Sequence, residues 1–310
     1  MKRLLLLLIP LVLVFGCSDT SDLEARLAAL EAENTSLKEV TQTSTPTPTS
    51  STPVAVTQVS RPTATETTSS KVVDAYPYQG TVWDPFSDVI NSEDPSTFLG
   101  IAYSGKESRQ MYDRRQNDWI QDTPHLFIAQ YSDKLTIEVQ VNSEFEDLDI
   151  ARKIAFDYAW QVGQLPKVLR KGVKTLWIHD GKHPFGGGNE NILIHVEQGK
   201  EYASRNLLEE VFIHEAAHTS LNWPEPLLDH GKTPGWLIAQ ESDEGFISAY
   251  AKQHPQREDI AESFLPWFAL RYRLDRISKS DQRKILEAIP HRLKYFDAQN
   301  FAMYPVTANN

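Results

Sequence analysis

The sequence predicts an α+β domain, strands in its first part and helices in its second, and three observations carry that expectation. Residues 125–130 and 135–141 alternate apolar and polar side chains on either side of Tyr131-Ser132-Asp133-Lys134, which predicts a hairpin. Residues 173–179 and 192–196 are short apolar runs that read as further strands. From Tyr202 onward the apolar residues recur at helical spacing, which predicts helices over 205–221, 236–253, 258–275 and 281–296. One more helix, over 149–165, follows the hairpin: Ile150, Ile154, Tyr158 and Val162 share a face and Pro166 ends it. Gly186-Gly187-Gly188 reads as a flexible turn between two strands, and it is not a phosphate loop, because neither GxGxxG nor a GK[ST] ending is present.

The folded domain is expected over residues 72–310. All seven tryptophans lie beyond Val72, and about 240 residues bury a sizeable core as one unit. The chain ahead of it has another character. Lys2 and Arg3 lead into an apolar run over 4–15, the pattern of a secretory signal over 1–16. The run is shorter than the roughly 20 residues a membrane span takes. Val14-Phe15-Gly16-Cys17 resembles the lipobox of bacterial lipoproteins. That resemblance implies cleavage before Cys17 and lipidation of Cys17. With Ser18 next, rather than an aspartate, it implies an anchor in the outer membrane of the cell envelope, with the inner membrane as the other reading. Cys17 is also the only cysteine, so an exported domain must hold itself together without an internal disulfide.

Within 17–40, Leu23, Leu27, Leu30, Asn34 and Leu37 follow a heptad with asparagine at an a position. This predicts a short coiled coil and a homodimer through residues 23–37, with a solvated amphipathic helix as the other reading. Residues 41–71 are rich in Thr, Ser and Pro and cannot bury enough surface to order. They read as a disordered, semi-stiff linker that reaches on the order of 100 Å when stretched. The 42 acidic residues outnumber the 31 basic ones, for a net charge of -11, and no basic run occurs. Nucleic acid is therefore not an expected partner, since phosphate binding needs clustered positive charge.

The residues that carry chemistry are His214-Glu215-Ala216-Ala217-His218, an H-E-x-x-H pattern inside a helical stretch. Positions i and i+4 share a helix face, so two imidazoles can meet one Zn2+ at about 2.0–2.1 Å. Glu215 then projects beside the metal, placed to take a proton from water and give it to a leaving amine. A catalytic zinc needs a third protein ligand. The metzincin extension is absent, since Leu221 and Pro224 occupy the positions of its glycine and histidine. Glu262 is the expected ligand: it lies among Ile260, Phe264, Leu265, Trp267 and Phe268, and a carboxylate in such surroundings needs a partner. Asp229 and His230 in the following loop, and Glu241, Asp243 and Glu244 beyond it, are the competing donors. His179, His183 and His195 flank the glycine run, where substrate contact is one reading and ordinary solvated histidines the simpler one.

HEAAH followed by Ala261-Glu262-Ser263-Phe264 resembles the gluzincin branch of the zincin metallopeptidases, with lethal-factor-like domains and secreted bacterial zincins as the nearest likeness. Ser248-Ala249-Tyr250-Ala251, Pro255 and residues 258–264 carry the second half of it. The likeness covers about residues 175–270 and does not extend to 72–150. It implies a zincin-like catalytic domain with a small N-terminal sheet and a helical C-terminal half, zinc as cofactor, and hydrolysis of a protein or peptide substrate. By the same likeness Glu215 is catalytic, Glu262 is the third ligand, and Tyr250 donates to the oxyanion. An extended peptide is expected to pair with the strand over 192–196, main chain to main chain. Two other readings are an inactive zincin-fold lipoprotein that binds cell wall or host matrix, and a structural lipoprotein that works through its coiled coil.

Overall fold

Residues 173–179 and 192–196 hold few side chains that water would retain, and they become the middle of a mixed sheet. The structure, a computed structural model, describes residues 76–222 and 229–307. The expected signal, Cys17, the heptad and the linker lie outside the described residues. The chain runs β1 (Phe98–Lys106), β2 (Arg109–Asp113), β3 (Asp118–Asp122), β4 (His125–Tyr131), β5 (Thr136–Val141), β6 (Thr175–His179), β7 (Gly186–Gly188) and β8 (Asn191–His195). Six of these form one sheet in the order β1-β4-β5-β6-β8-β7, while β2 and β3 pair separately. β4 and β5 are the anticipated hairpin, antiparallel in the register His125 to Val141. β5, β6 and β8 are parallel, and all of β8 is buried, as expected of a strand covered on both faces.

The helices are α1 (Leu148–Val162), α2 (Lys167–Arg170), α3 (Val196–Ser204), α4 (Leu208–Leu221), α5 (Pro234–Ser242), α6 (Ala249–Gln253), α7 (Asp259–Tyr272), α8 (Lys279–Ala288) and α9 (Pro290–Asp297). The α+β class is as the sequence predicts. None of the described helices is long and apolar enough to cross a membrane. α4 is buried around nearly its whole circumference, which is why its apolar residues show no single face. It lies against β7 and β8 on one side and α7 on another. Several of its polar side chains are held by neighbouring elements: Glu210 by the segment before β1, Thr219 by Asn191 and Ser220 by Leu169.

Several boundaries differ from expectation, each for a local reason. The predicted helix over 236–253 is two helices, α5 and α6. The break leaves Asp243 buried to accept from the backbone N–H of His291 and Arg292, at 2.8 and 3.1 Å. Ser248 then caps α6 by accepting from Ala251 N at 3.0 Å. The helix expected over 281–296 divides into α8 and α9 at Pro290, which cannot continue a helix from its N-terminal side. The sheet is larger than the small one expected, because β1 joins the predicted hairpin as its outer strand. Gly186-Gly187-Gly188 is a strand, β7, rather than a turn, antiparallel to β8 with Gly187 opposite Ile192. A Cβ on Gly187 would lie 1.9 Å from the Glu215 carbonyl oxygen, so only glycine lets this strand lie on the backbone of α4.

Glu210, one turn ahead of His214, fastens the segment before β1. Its Oε1 accepts from Val89 N and Ile90 N at 2.6 and 3.2 Å, while Oε2 has no partner. Burial outweighs these hydrogen bonds and pushes its pKa up from 4.5 to about 8. The folded state thus holds a proton that the unfolded chain releases, and stability falls as pH rises from about 4.5 to about 8. Glu210→Gln keeps the two acceptor bonds and removes the titration. It is expected to raise Tm at pH 8.5 by roughly 4–8 °C, from about 2 kcal/mol, and to have little effect at pH 5. Thermal melts at the two pH values check this, and an equal shift at both would contradict it.

Candidate metal centre

Two facing helices build the site. α4 supplies His214 and His218, one turn apart, with ring centroids 4.7 Å apart and planes at 80°. α7 supplies Glu258, the residue just ahead of its first turn, and Glu262 one turn further in. His218 meets Glu258 and His214 meets Glu262, so the two helices pair in opposite chain directions. The Nε2 atoms of His214 and His218 are 3.1 Å apart. Glu258 Oε2 is 2.9 Å from the Nε2 of His218 and 3.4 Å from that of His214. All three residues are buried, and together they could hold a metal ion.

The donor separations fit one small ion. Four ligands set tetrahedrally at about 2.0–2.1 Å stand about 3.3 Å from one another. The three observed separations bracket that value, and two imidazoles with one carboxylate would leave one position of a four-coordinate ion unfilled. Without a cation the same atoms share protons. Burial disfavours charge on His214, but the Glu258 hydrogen bond and the fields of Glu215, Glu262 and Glu258 outweigh it, so its pKa is raised. Burial likewise opposes charge on Glu258, and hydrogen bonds from His214 and His218 pull its pKa well below the carboxylate range. A buried anion facing two imidazoles is the electrostatic arrangement a cation requires.

Glu258, and not the expected Glu262, is thus the carboxylate on the Nε2 side of the histidine pair. Glu262 lies behind His214. Its Oε1 stands 3.4 Å from His214 Nδ1. Its Oε2 accepts from Ser248 Oγ at 2.5 Å and from Val82 N at 3.1 Å. Burial raises its pKa to about 7. Because Glu258 and Glu262 are i and i+4, both face α4. The antiparallel pairing decides which carboxylate reaches the Nε2 atoms and which reaches the back of a ring. Glu262 stands behind the His214 ring, the place outer carboxylates occupy at metal sites, and at 3.4 Å its Oε1 and His214 Nδ1 make no hydrogen bond. Glu262→Gln is expected to lower metal affinity about 10–100-fold without abolishing binding, measured by chelator competition. Loss of binding as complete as that caused by removing Glu258 would contradict this placement.

Other side chains complete the surroundings. Glu215 is buried, and among the described residues no hydrogen bond or ion pair engages its carboxylate. Its negative charge is felt at the hydroxyls of Tyr202 and Tyr250. Tyr250 is half-buried beside the site. Burial, then the charge of Glu258 and a hydrogen bond to it, push its pKa up to about 12, so it keeps its proton. Trp83 sets its ring edge-on to His214 with centroids 4.9 Å apart. That residue belongs to a segment in which the sequence shows no chemical motif. An aromatic side chain ahead of the first strand was the sole hint.

The competing donors do not join this cluster. His230 Nδ1 is 2.8 Å from the Tyr295 hydroxyl. Asp229 pairs with Lys232, and Asp243 with Arg292. Glu241 and Glu244 are exposed. His179 and His195 are fully buried and stacked at 5.6 Å, which corrects the expectation of solvated histidines. Burial drives the pKa of His195 down to about 3, assisted by His179, His183 and Arg115, so its ring is neutral. The strand expected to receive substrate, here β8, is interior. The outer position beside it belongs to β7. Comparisons with protein-family models, with curated proteins and with solved structures find no match.

Proposed function

We propose that the protein is a zinc-dependent peptidase, and that it acts from a lipid-anchored position through Cys17 in a bacterial envelope. The observation that carries the catalytic part is the convergence of His214 Nε2, His218 Nε2 and Glu258 Oε2 within 3.4 Å of one another, beside an unengaged Glu215 carboxylate. Two histidines and a glutamate with an open fourth position are the donor set of catalytic rather than structural zinc. Zinc bound there supplies Lewis acidity toward the scissile carbonyl and toward the attacking water.

The chain's own residues do the rest. Glu215 accepts the proton of the attacking water as the new C–O bond forms at the carbonyl carbon. It then delivers that proton to the amine nitrogen as the C–N bond breaks, so the carboxylate ends as it began. Tyr250, protonated at neutral pH, donates to the oxygen on which negative charge develops. The extended peptide pairs with the outer edge of β7, an arrangement in which Gly187 seats the strand directly on α4. Glu262 and Trp83 keep His214 in position.

The test is turnover of an unstructured protein such as casein by purified, zinc-loaded protein. New amino termini are expected, lost on chelation and restored by added zinc. A well-folded, zinc-loaded protein that cleaves neither casein nor a proteome-derived peptide mixture would overturn the proposal.

A further inference from the structure

The β2–β3 hairpin has a use that the metal centre does not explain. It is tied to the sheet by a small separate core of Met111, Trp177 and Leu193, with Tyr112 and Ile120 packed against it. Between the hairpin and β7 it leaves a cavity of about 260 Å³. Tyr112, Trp119 and Trp177 wall this space, Gly186–Gly188 form one side, and Asn189 and Arg114 reach it. The rings interlock, with Trp119 edge-on to Trp177 at 5.3 Å and to Tyr112 at 5.6 Å. A hole this size takes one side chain.

Two adjacent arginines show what the hole lacks. Arg115 is fully committed: it donates to Asp113 from Nε and Nη2 and to Glu144 from Nη1, at 2.7–3.0 Å. Arg114 has no hydrogen bond or ion pair among the described residues. Its Nη2 occupies the space a Cβ of residue 186 would fill, at 2.7 Å, so Gly186 makes room for the guanidinium. No carboxylate is among the residues lining the cavity. A half-buried guanidinium between aromatic walls, without an anion, is a receptor for a planar carboxylate, which it binds through two parallel N–H donors. Gly187, which lines the cavity, also lies against the backbone of Glu215, so the cavity borders the turn of α4 that carries that carboxylate.

We propose that this cavity is a specificity subsite for an Asp or Glu side chain of the peptide that pairs with β7, with Arg114 as the residue that selects it. This rests on the peptidase reading given above and adds the substrate class to it. A strand partner places alternate side chains on one face of the edge it joins. The subsite therefore reads a single fixed position relative to the scissile bond.

Two measurements on the full, zinc-loaded chain test this. Cleavage sites in a proteome-derived peptide mixture are mapped by mass spectrometry for wild type, Arg114→Ala and Arg114→Glu. The expected result is enrichment of Asp and Glu at one fixed position, about tenfold over Gln. Arg114→Ala loses the enrichment and Arg114→Glu turns it toward Lys and Arg. In parallel, tryptophan fluorescence of Glu215→Gln protein is titrated with a decapeptide of alternating Glu and Ala and with its Gln analogue. Tighter binding of the Glu peptide, abolished by adding Arg114→Ala, is expected. Preferential binding without cleavage anywhere supports the subsite and sinks the peptidase reading. Cleavage without acidic preference, or with a preference that Arg114→Ala leaves unchanged, overturns the subsite and leaves the peptidase reading in place. Absence of both binding preference and cleavage overturns the two together.

Discussion

Glu215→Gln is expected to lower kcat for peptide hydrolysis by about 10²–10⁴-fold while leaving the metal content unchanged. The side chain is not one of the three donors, and no described residue depends on its charge for a hydrogen bond. Glutamine is nearly isosteric, so this buried position on α4 loses no packing. What it loses is the capacity to hold a proton between the attack on the carbonyl and departure of the amine. KM should change little, because in the proposed binding mode the peptide is held by main-chain pairing at β7. A variant that keeps its zinc and its fold and still turns over peptide at the wild-type rate would remove Glu215 from the mechanism.

The second large effect is on stability. Arg292 is fully buried and lies between two carboxylates, Asp243 at 2.8 Å from Nη1 and Asp259 at 2.8 Å from Nε, over the ring of Phe246. Arg292→Ala leaves both aspartates buried without their cation, a loss of about 3–5 kcal/mol, or on the order of 10 °C in Tm. Lysine is not an adequate replacement, because a single ammonium cannot reproduce the forked donor geometry. The consequence reaches the candidate metal centre. Asp259 directly follows Glu258, and Gln240 donates to Asp259 at 2.7 Å, so this network fixes the start of α7 and with it the third donor. Arg292→Ala is therefore expected to weaken zinc binding as well, read by calorimetry and chelator competition on the same samples. A melting temperature within 2 °C of wild type, a change of about 1 kcal/mol or less, would show that the network carries no weight.

Much of this site is legible from spacing alone. An i, i+4 pair of histidines in a helix fixes two donors, and the structure brings His214 and His218 together as expected. The third donor is not legible in the same way. Glu258 and Glu262 lie on one face of one helix, and burial among apolar neighbours singles out Glu262. The choice depends on the direction and register of α7 against α4, which no local pattern encodes. The same limit explains β7. Three consecutive glycines carry no strand propensity, and their extended conformation is imposed by pairing with β8 and by contact with the α4 backbone. The break between α5 and α6 is likewise tertiary, set by Asp243 meeting Arg292 from a helix 49 residues later. By contrast Pro290 and the alternation in β4 and β5 act locally. There the expected elements appear, except that the proline divides a helix in two.

His214, His218 and Glu258 are proposed to bind one zinc together, with Glu262 behind them. Metal analysis of purified wild-type protein and the variants Glu258→Ala and Glu262→Gln, each equilibrated with zinc and dialysed, tests it directly. One zinc per chain is expected in wild type, near-complete loss in Glu258→Ala, and retention with weakened affinity in Glu262→Gln. Full occupancy in Glu258→Ala, or a folded wild-type protein that takes up no zinc, would contradict it.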